Sequence, residues 1–185
     1  MARAVRAVLV TLMVAASAMA LVSYGETRAP LAARAFPAGE VREVRAAATF
    51  ACPVQEPYKF TSTFGEPRSG GRGHKGIDMF AAKGSSVSAV TGGTVTKAVP
   101  TDDGTLGGAR VWVSGDDGWW YYYAHLDSVA VTLGQRVETG RQLGTVGNTG
   151  NAKTTPAHVH LEEHLGGMEG PYVDPYTLMS VLCPR

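Results

Sequence analysis

Four histidines and one aspartate in this 185-residue chain stand where side chains could do chemistry. The stretch "TPAHVHLEEHLGG" holds His158 and His160 as an H-x-H pair, "GRGHKGIDMFA" places His74 four residues before Asp78, and "WWYYYAHLDSV" carries His125. On a strand, residues two apart share a face. His158 and His160 would then stand side by side with Val159 and Leu161 packed behind them. In an extended segment His74 and Asp78 share a face as well. Imidazole and carboxylate are sound zinc ligands at about 2.0–2.2 Å, and three of them leave one tetrahedral position for water. A metal in such a site supports hydrolysis, and a nearby neutral imidazole can accept and return a proton close to working pH. Each piece alone has an ordinary explanation: a chance pair on a strand, two polar residues in a Gly-rich loop, a histidine satisfied at a core rim. Their recurrence in polar contexts at strand ends outweighs those explanations.

The same residues admit a second metal reading. His160, Glu163 and His164 spell H-x-x-E-H, a zinc-peptidase signature that works only on a helix. Pro156 lies just before it and Gly166-Gly167 just after, which leaves one or two turns, and helices so short are marginal. The strand reading is preferred. It leaves His164 over, as a surface histidine or one beside the site with a structural or neutral role.

The elements that must position these residues read as short strands. From Cys52 onward Gly is frequent, and "GSSVSAVTGGTVTKAV", "ARVWVSGDDGWWYYYAHL", "VAVTLGQRVETGRQLGTVGNTG" and "AHVHLEEHL" alternate between turn signals. Gly115-Asp116-Asp117-Gly118 reads as a hairpin loop. Trp119, Trp120, Tyr121, Tyr122 and Tyr123 read as a strand alternating between core and surface, one or two of them available to line a groove. No convincing 3.6-residue apolar stripe of ten residues or more occurs between 52 and 185. The expected fold class is mainly β, with packed antiparallel sheets.

The ends carry different signals. Arg3 and Arg6 precede about nineteen uncharged residues, and Ala18-Met19-Ala20 offers a small-x-small site. Residues 1–20 therefore read as a signal peptide, with an uncleaved membrane anchor as the alternative. Residues 21–50, rich in Ala, Arg and Pro, read as a linker with one short helical stretch at "EVREVRAAA", and 51–185 as the working domain. The formal net charge of +1 gives no footprint for nucleic acid. An exported chain with two cysteines favours a Cys52–Cys183 disulfide over two buried thiols.

Together these blocks resemble the lysostaphin-type (LytM-type) zinc endopeptidases of bacterial cell walls, over roughly residues 60–176. "TSTFGEPRSGGRGHKGIDMFAAKGSSVSAVTGGTV" resembles the family's first block, "YYYAHLDSVAVTLGQRVETGRQLGTVGNTGNA" its central block and "TPAHVHLEE" its H-x-H block. The resemblance implies packed antiparallel sheets with a groove holding one Zn2+ per chain. It places the metal ligands on His74, Asp78 and His160, and proton handling on His125 and His158, with their tasks undivided. It implies an exported monomeric endopeptidase acting on peptidoglycan peptides, touching a membrane only if the N-terminal segment stays attached. Ala157 and "HLEEH" depart from the family's usual residues and bear on groove shape. Two rivals remain beside it. One is a catalytically silent domain of the same fold that binds cell wall or regulates another hydrolase. The other is a lipoyl- or biotinyl-type carrier, which needs a modifiable Lys where this chain has histidines.

Overall fold

The structure, a computed structural model, describes residues 49–183. The expected leader, nearly all of the expected linker and its short helix lie outside them. No described helix is long and apolar enough to cross a membrane.

The described residues form β1 (Tyr58–Lys59), β2 (Pro67–Arg68), β3 (Arg72–Gly73), β4 (Ile77–Ala81), β5 (Ser86–Ser88), β6 (Gly93–Val99) and β7 (Ala109–Gly115). There follow β8 (Trp119–Leu126), β9 (Ser128–Val129), β10 (Arg136–Val137), β11 (Gln142–Thr145), β12 (His158–Leu165), β13 (Tyr172–Val173) and a helix α1 (Tyr176–Leu182). The largest sheet runs β1-β4-β12-β8-β7-β6-β10, with β13 also on β12; a smaller one runs β5-β11-β9, and β2 pairs β3. The pairings are antiparallel, as the sequence leads one to expect. Helix α1 is a departure from the reading of 52–185. "YTLMSVL" is too short to display a helical period, yet Met179 and the following Cys183 are fully buried.

Period-2 patterning explains which faces meet. In β4, Ile77 and Met79 are fully buried while Asp78 and Phe80 turn to the other side. In β8, Tyr121 and Tyr123 enter the core and Tyr122 faces away. In β12, Val159 and Leu161 enter the core, and His158, His160, Glu162 and His164 share the opposite face. The core joins both larger sheets, with Val87 and Leu143 from the small one packed among Val111, Val113, Tyr121 and Leu161 from the large one. The two buried phenols are satisfied: Tyr123 Oη accepts from Val90 N (3.0 Å), and Tyr121 Oη donates to Asp117 Oδ2 (2.6 Å). Asp117 belongs to the expected hairpin loop, where Gly118 takes a left-handed φ of 80°. Cys52 and Cys183 are disulfide-bonded, as expected, and the bridge ties the start of the domain to α1 across 131 residues.

Candidate active site

Strand pairing brings the first two groups together. β12 lies between β4 and β8, with His160 directly opposite Asp78 on one side and Ala124 on the other. A one-residue slip of β12 would send His160 to the core face, so the buried Val159 and Leu161 hold this register. His74 arrives from the Gly-rich segment before β4. Its backbone is fixed by His74 N donating to Glu66 O (2.9 Å) and Gly65 N donating to His74 O (2.8 Å). Gly76 lets that segment press against β12, since a Cβ there would lie 1.9 Å from Leu161 O.

The result is a triangle of three atoms. His74 Nε2 lies 3.1 Å from Asp78 Oδ1 and 2.9 Å from His160 Nδ1, and His160 Nδ1 lies 2.9 Å from Asp78 Oδ1. Surrounding groups aim lone pairs into it. His74 Nδ1 faces both Thr63 O (3.0 Å) and Arg68 Nη2 (2.8 Å). The carbonyl can take only a proton, so the Nδ1–H tautomer turns the Nε2 lone pair inward. Arg68 Nη2 then serves Asp78 Oδ2, 2.9 Å away. His160 Nε2–H donates to Glu162 Oε1 (2.9 Å), which leaves Nδ1 facing the triangle.

Three converging acceptors call for a positive charge among them. Burial alone would lower the His160 imidazole, yet its hydrogen bonds to Asp78 and Glu162 push it up to about 9. Burial alone would raise Asp78, and a proton carried by His160 or His74 on the nitrogen that faces it instead holds it well below the usual carboxylate range. A tetrahedral zinc with bonds near 2.0–2.1 Å has ligand–ligand edges of roughly 3.3 Å, so small outward shifts of these atoms suit the ion. Among the described residues, this is the group of metal-binding side chains close enough to share one ion. The donor set fits a zinc ion in both chemistry and size.

His125 and His158 stand beside the triangle. His125, the last residue but one of β8, has a left-handed conformation (φ 63°), which costs a non-Gly residue on the order of 1–3 kcal/mol. Its N donates to Gly107 O (2.9 Å) and its Nδ1–H to Thr149 O (3.0 Å), and these bonds keep it there. His158 Nδ1–H donates to Pro156 O (2.8 Å), and its Nε2 lies 3.9 Å from Asp78 Oδ1. The His125 and His158 rings meet edge to face, with centroids 5.0 Å apart. Burial, reinforced by the neighbouring His160 and His158, lowers the His125 pKa to about 4 and keeps the ring neutral.

All five expected residues line one groove of about 670 Å³. Its floor continues through Tyr122, stacked on Trp112 with centroids 4.6 Å apart. His164 also lines it, beside the site rather than on the surface. The ring is buried, edge-on to Trp112, and its Nε2–H donates to Glu162 Oε2 (2.6 Å). Glu162 is thus clamped between His160 and His164. Its carboxyl falls to about 2, because these two hydrogen bonds overcome the burial that would raise it. Sequence reasoning missed Glu162 and Arg68. Alternation from His160 could have found Glu162, but no local signal marks Arg68.

The sequence pattern of peptidase family M23 matches residues 72–175, more than half of the chain. The chain belongs to peptidase family M23. Among M23-related proteins, the L-Ala--D-Glu endopeptidase of Bacillus subtilis is 32% identical over 120 residues, 60% of this chain and 36% of that protein. The murein hydrolase activator NlpD of Escherichia coli is 32% identical over 96 residues, 52% of this chain and 24% of NlpD. The chain therefore spans about a third and a quarter of these relatives. The catalytic domain of lysostaphin, an antimicrobial peptidase from Staphylococcus simulans, superposes with a TM-score of 0.58 at 28% identity. That match covers 66% of this chain and 92% of the lysostaphin domain. The expected lysostaphin-type relationship and the antiparallel fold of the M23 peptidases are both borne out.

Proposed function

We propose that this chain is an exported, zinc-dependent endopeptidase that hydrolyses peptide bonds in peptidoglycan cross-links or stem peptides. The observation that carries this reading is the convergence of His74 Nε2, Asp78 Oδ1 and His160 Nδ1 beside two imidazoles in a single groove. Those three atoms would hold one zinc ion per chain. When bound, zinc supplies a Lewis acid for the scissile carbonyl and lowers the pKa of water toward ~7. His125 and His158 have their Nδ1–H groups committed to backbone carbonyls, so each can take a proton at Nε2 and return it to the leaving amine. Tyr122 and Trp112, stacked on one another, line the groove where a peptide backbone can lie across them. The disulfide suits an oxidising compartment outside the cytoplasm. A monomer suffices, since one chain supplies every group named.

Glu162 and His164 would act through His160, by fixing its tautomer and ring direction. Glu162→Ala is expected to weaken zinc binding by about 10–100-fold, and His164→Ala by less, because Glu162 keeps its bond to His160. Titration of the metal-free chain against a chromophoric chelator reads both values; unchanged affinity in Glu162→Ala would remove Glu162 from this role.

Similarity to NlpD favours a second reading, a silent domain that activates another hydrolase. The presence of all five side chains in one groove favours hydrolysis. The zinc-loaded full chain should release new amine groups from purified peptidoglycan, stop when a chelator is added and resume when zinc is restored. No amine release by the zinc-loaded chain, with stimulation of a separate hydrolase, would replace this reading with the regulatory one.

A further inference from the structure

The walls of the groove differ in charge. Arg68, Arg72 and Lys75 line it from the segment that carries β2, β3 and the approach to β4, while Leu106, Asn151, Thr155 and Pro156, which line it from the loops before β7 and β12, are uncharged. Three acids also line the groove: Asp78 belongs to the triangle, Glu162 is held between two histidines, and Glu169 is exposed beyond β12.

The cationic wall is built by a hairpin. Arg68 and Arg72 are directly opposite each other in the β2–β3 pair, and like charges in that relation destabilise a ladder. Gly70 and Gly71 make the turn, both with left-handed φ (75° and 71°), and an added Cβ on either would meet nothing within 4 Å. These glycines serve the backbone path that sets the two arginines side by side.

Arg72 is oriented without an acidic partner, whereas Arg68 is ion-paired through one nitrogen with Asp78. Arg72 donates from Nε to Ser69 O (3.0 Å) and from Nη2 to Ser69 Oγ (3.3 Å), neither of which carries charge. Arg68 uses Nη2 on Asp78, whose other oxygen faces the triangle. Arg68 Nε and Nη1 and Arg72 Nη1 have no hydrogen-bond partner among the described residues. Lys75 Nζ lies 5.0 Å from the centroid of the Tyr172 ring and makes no ion pair there.

We propose that this wall is a subsite for a free carboxylate of the substrate, so that the chain prefers anionic stem peptides to uncharged glycine bridges. The proposal rests on the endopeptidase reading. A guanidinium fork matches the planar geometry of a carboxylate and forms charge-assisted hydrogen bonds with it. Stem peptides carry free carboxylates beside their peptide bonds, whereas a glycine bridge offers only neutral backbone. Arg68 links the subsite to the triangle, so a carboxylate held there lies next to the reacting centre.

The test uses the zinc-loaded full chain with three substrates: a stem peptide with free carboxylates, the same peptide amidated, and pentaglycine. The free acid should be cut with a kcat/KM about tenfold above the amidated peptide, mainly through KM, as expected for hydrogen bonds to a charged group at a solvated rim. That ratio should fall toward one in Arg72→Gln, further in Arg72→Gln/Lys75→Gln, and also with added salt. Both positions are exposed, so folding is not at stake. Equal rates, a preference for pentaglycine, or a ratio untouched by Arg72→Gln would overturn the subsite and leave the endopeptidase standing. If no peptide is cut, the endopeptidase reading fails and equilibrium binding decides the subsite. Tighter binding of the free acid, lost in Arg72→Gln, would support it; equal binding of acid and amide would overturn it.

Discussion

His160→Ala is expected to lower peptidoglycan hydrolysis by about 10³-fold or more and to leave well under one zinc per chain. The size of the effect follows from what is lost: the Lewis acid and the shift of a water pKa from about 15.7 toward 7. His160 also has no substitute in the triangle, because Glu162 reaches it only through that ring. The fold should survive the change. His160 sits on the groove face of β12, while the register is held by Val159 and Leu161 in the core. Circular dichroism and thermal unfolding of the metal-free proteins should therefore nearly coincide. Metal analysis beside amine release checks the prediction, and a variant with wild-type activity would dismiss His160 as a ligand.

His158→Ala and His125→Ala should separate chemistry from metal binding. Each is expected to lower kcat by about 10²–10⁴-fold, the range for a lost proton-transfer group, with zinc close to one per chain. The reason lies in where their ring nitrogens point. Pro156 O and Thr149 O take the Nδ1 protons, and His158 Nε2 stays 3.9 Å from the nearer Asp78 oxygen, beside the triangle rather than within it. Loss of zinc in either variant would make that histidine a ligand, and full activity would remove it from proton transfer. Comparing the two kcat values also divides their tasks, since the residue that activates water should cost more than one that only aids the leaving group.

Much of this site is legible in the sequence because alternation on a strand is a strict rule. "HVH" places two imidazoles on one face without any knowledge of neighbours, and Tyr121, Tyr122 and Tyr123 divide between core and groove by the same period. The same rule places Glu162 and His164 beside His160. Glu162 carries no signal of its own, because H-x-x-E-H singles out Glu163 and His164 instead. In the real strand Glu163 turns to the core side and His164 enters the groove. Arg68 was not legible, since its contact with Asp78 depends on how the β2–β3 hairpin folds back. The carbonyls of Thr149 and Pro156 were hidden for a related reason: which backbone oxygen meets a ring depends on loop paths that side-chain types do not encode. Helix α1 escaped because seven residues cannot show a period, and it is anchored by contacts made elsewhere, including the disulfide just after it.

The measurement that bears most directly on the proposed activity is mass analysis of peptidoglycan fragments after digestion in heavy-oxygen water. With the zinc-loaded full chain, fragments should carry new amine termini, and each matching new carboxyl should hold one heavy oxygen from the attacking water. Both signals should vanish with chelator and in His160→Ala. Intact peptidoglycan after treatment with the zinc-loaded chain, or cleavage unchanged in His160→Ala, would contradict a zinc-dependent endopeptidase.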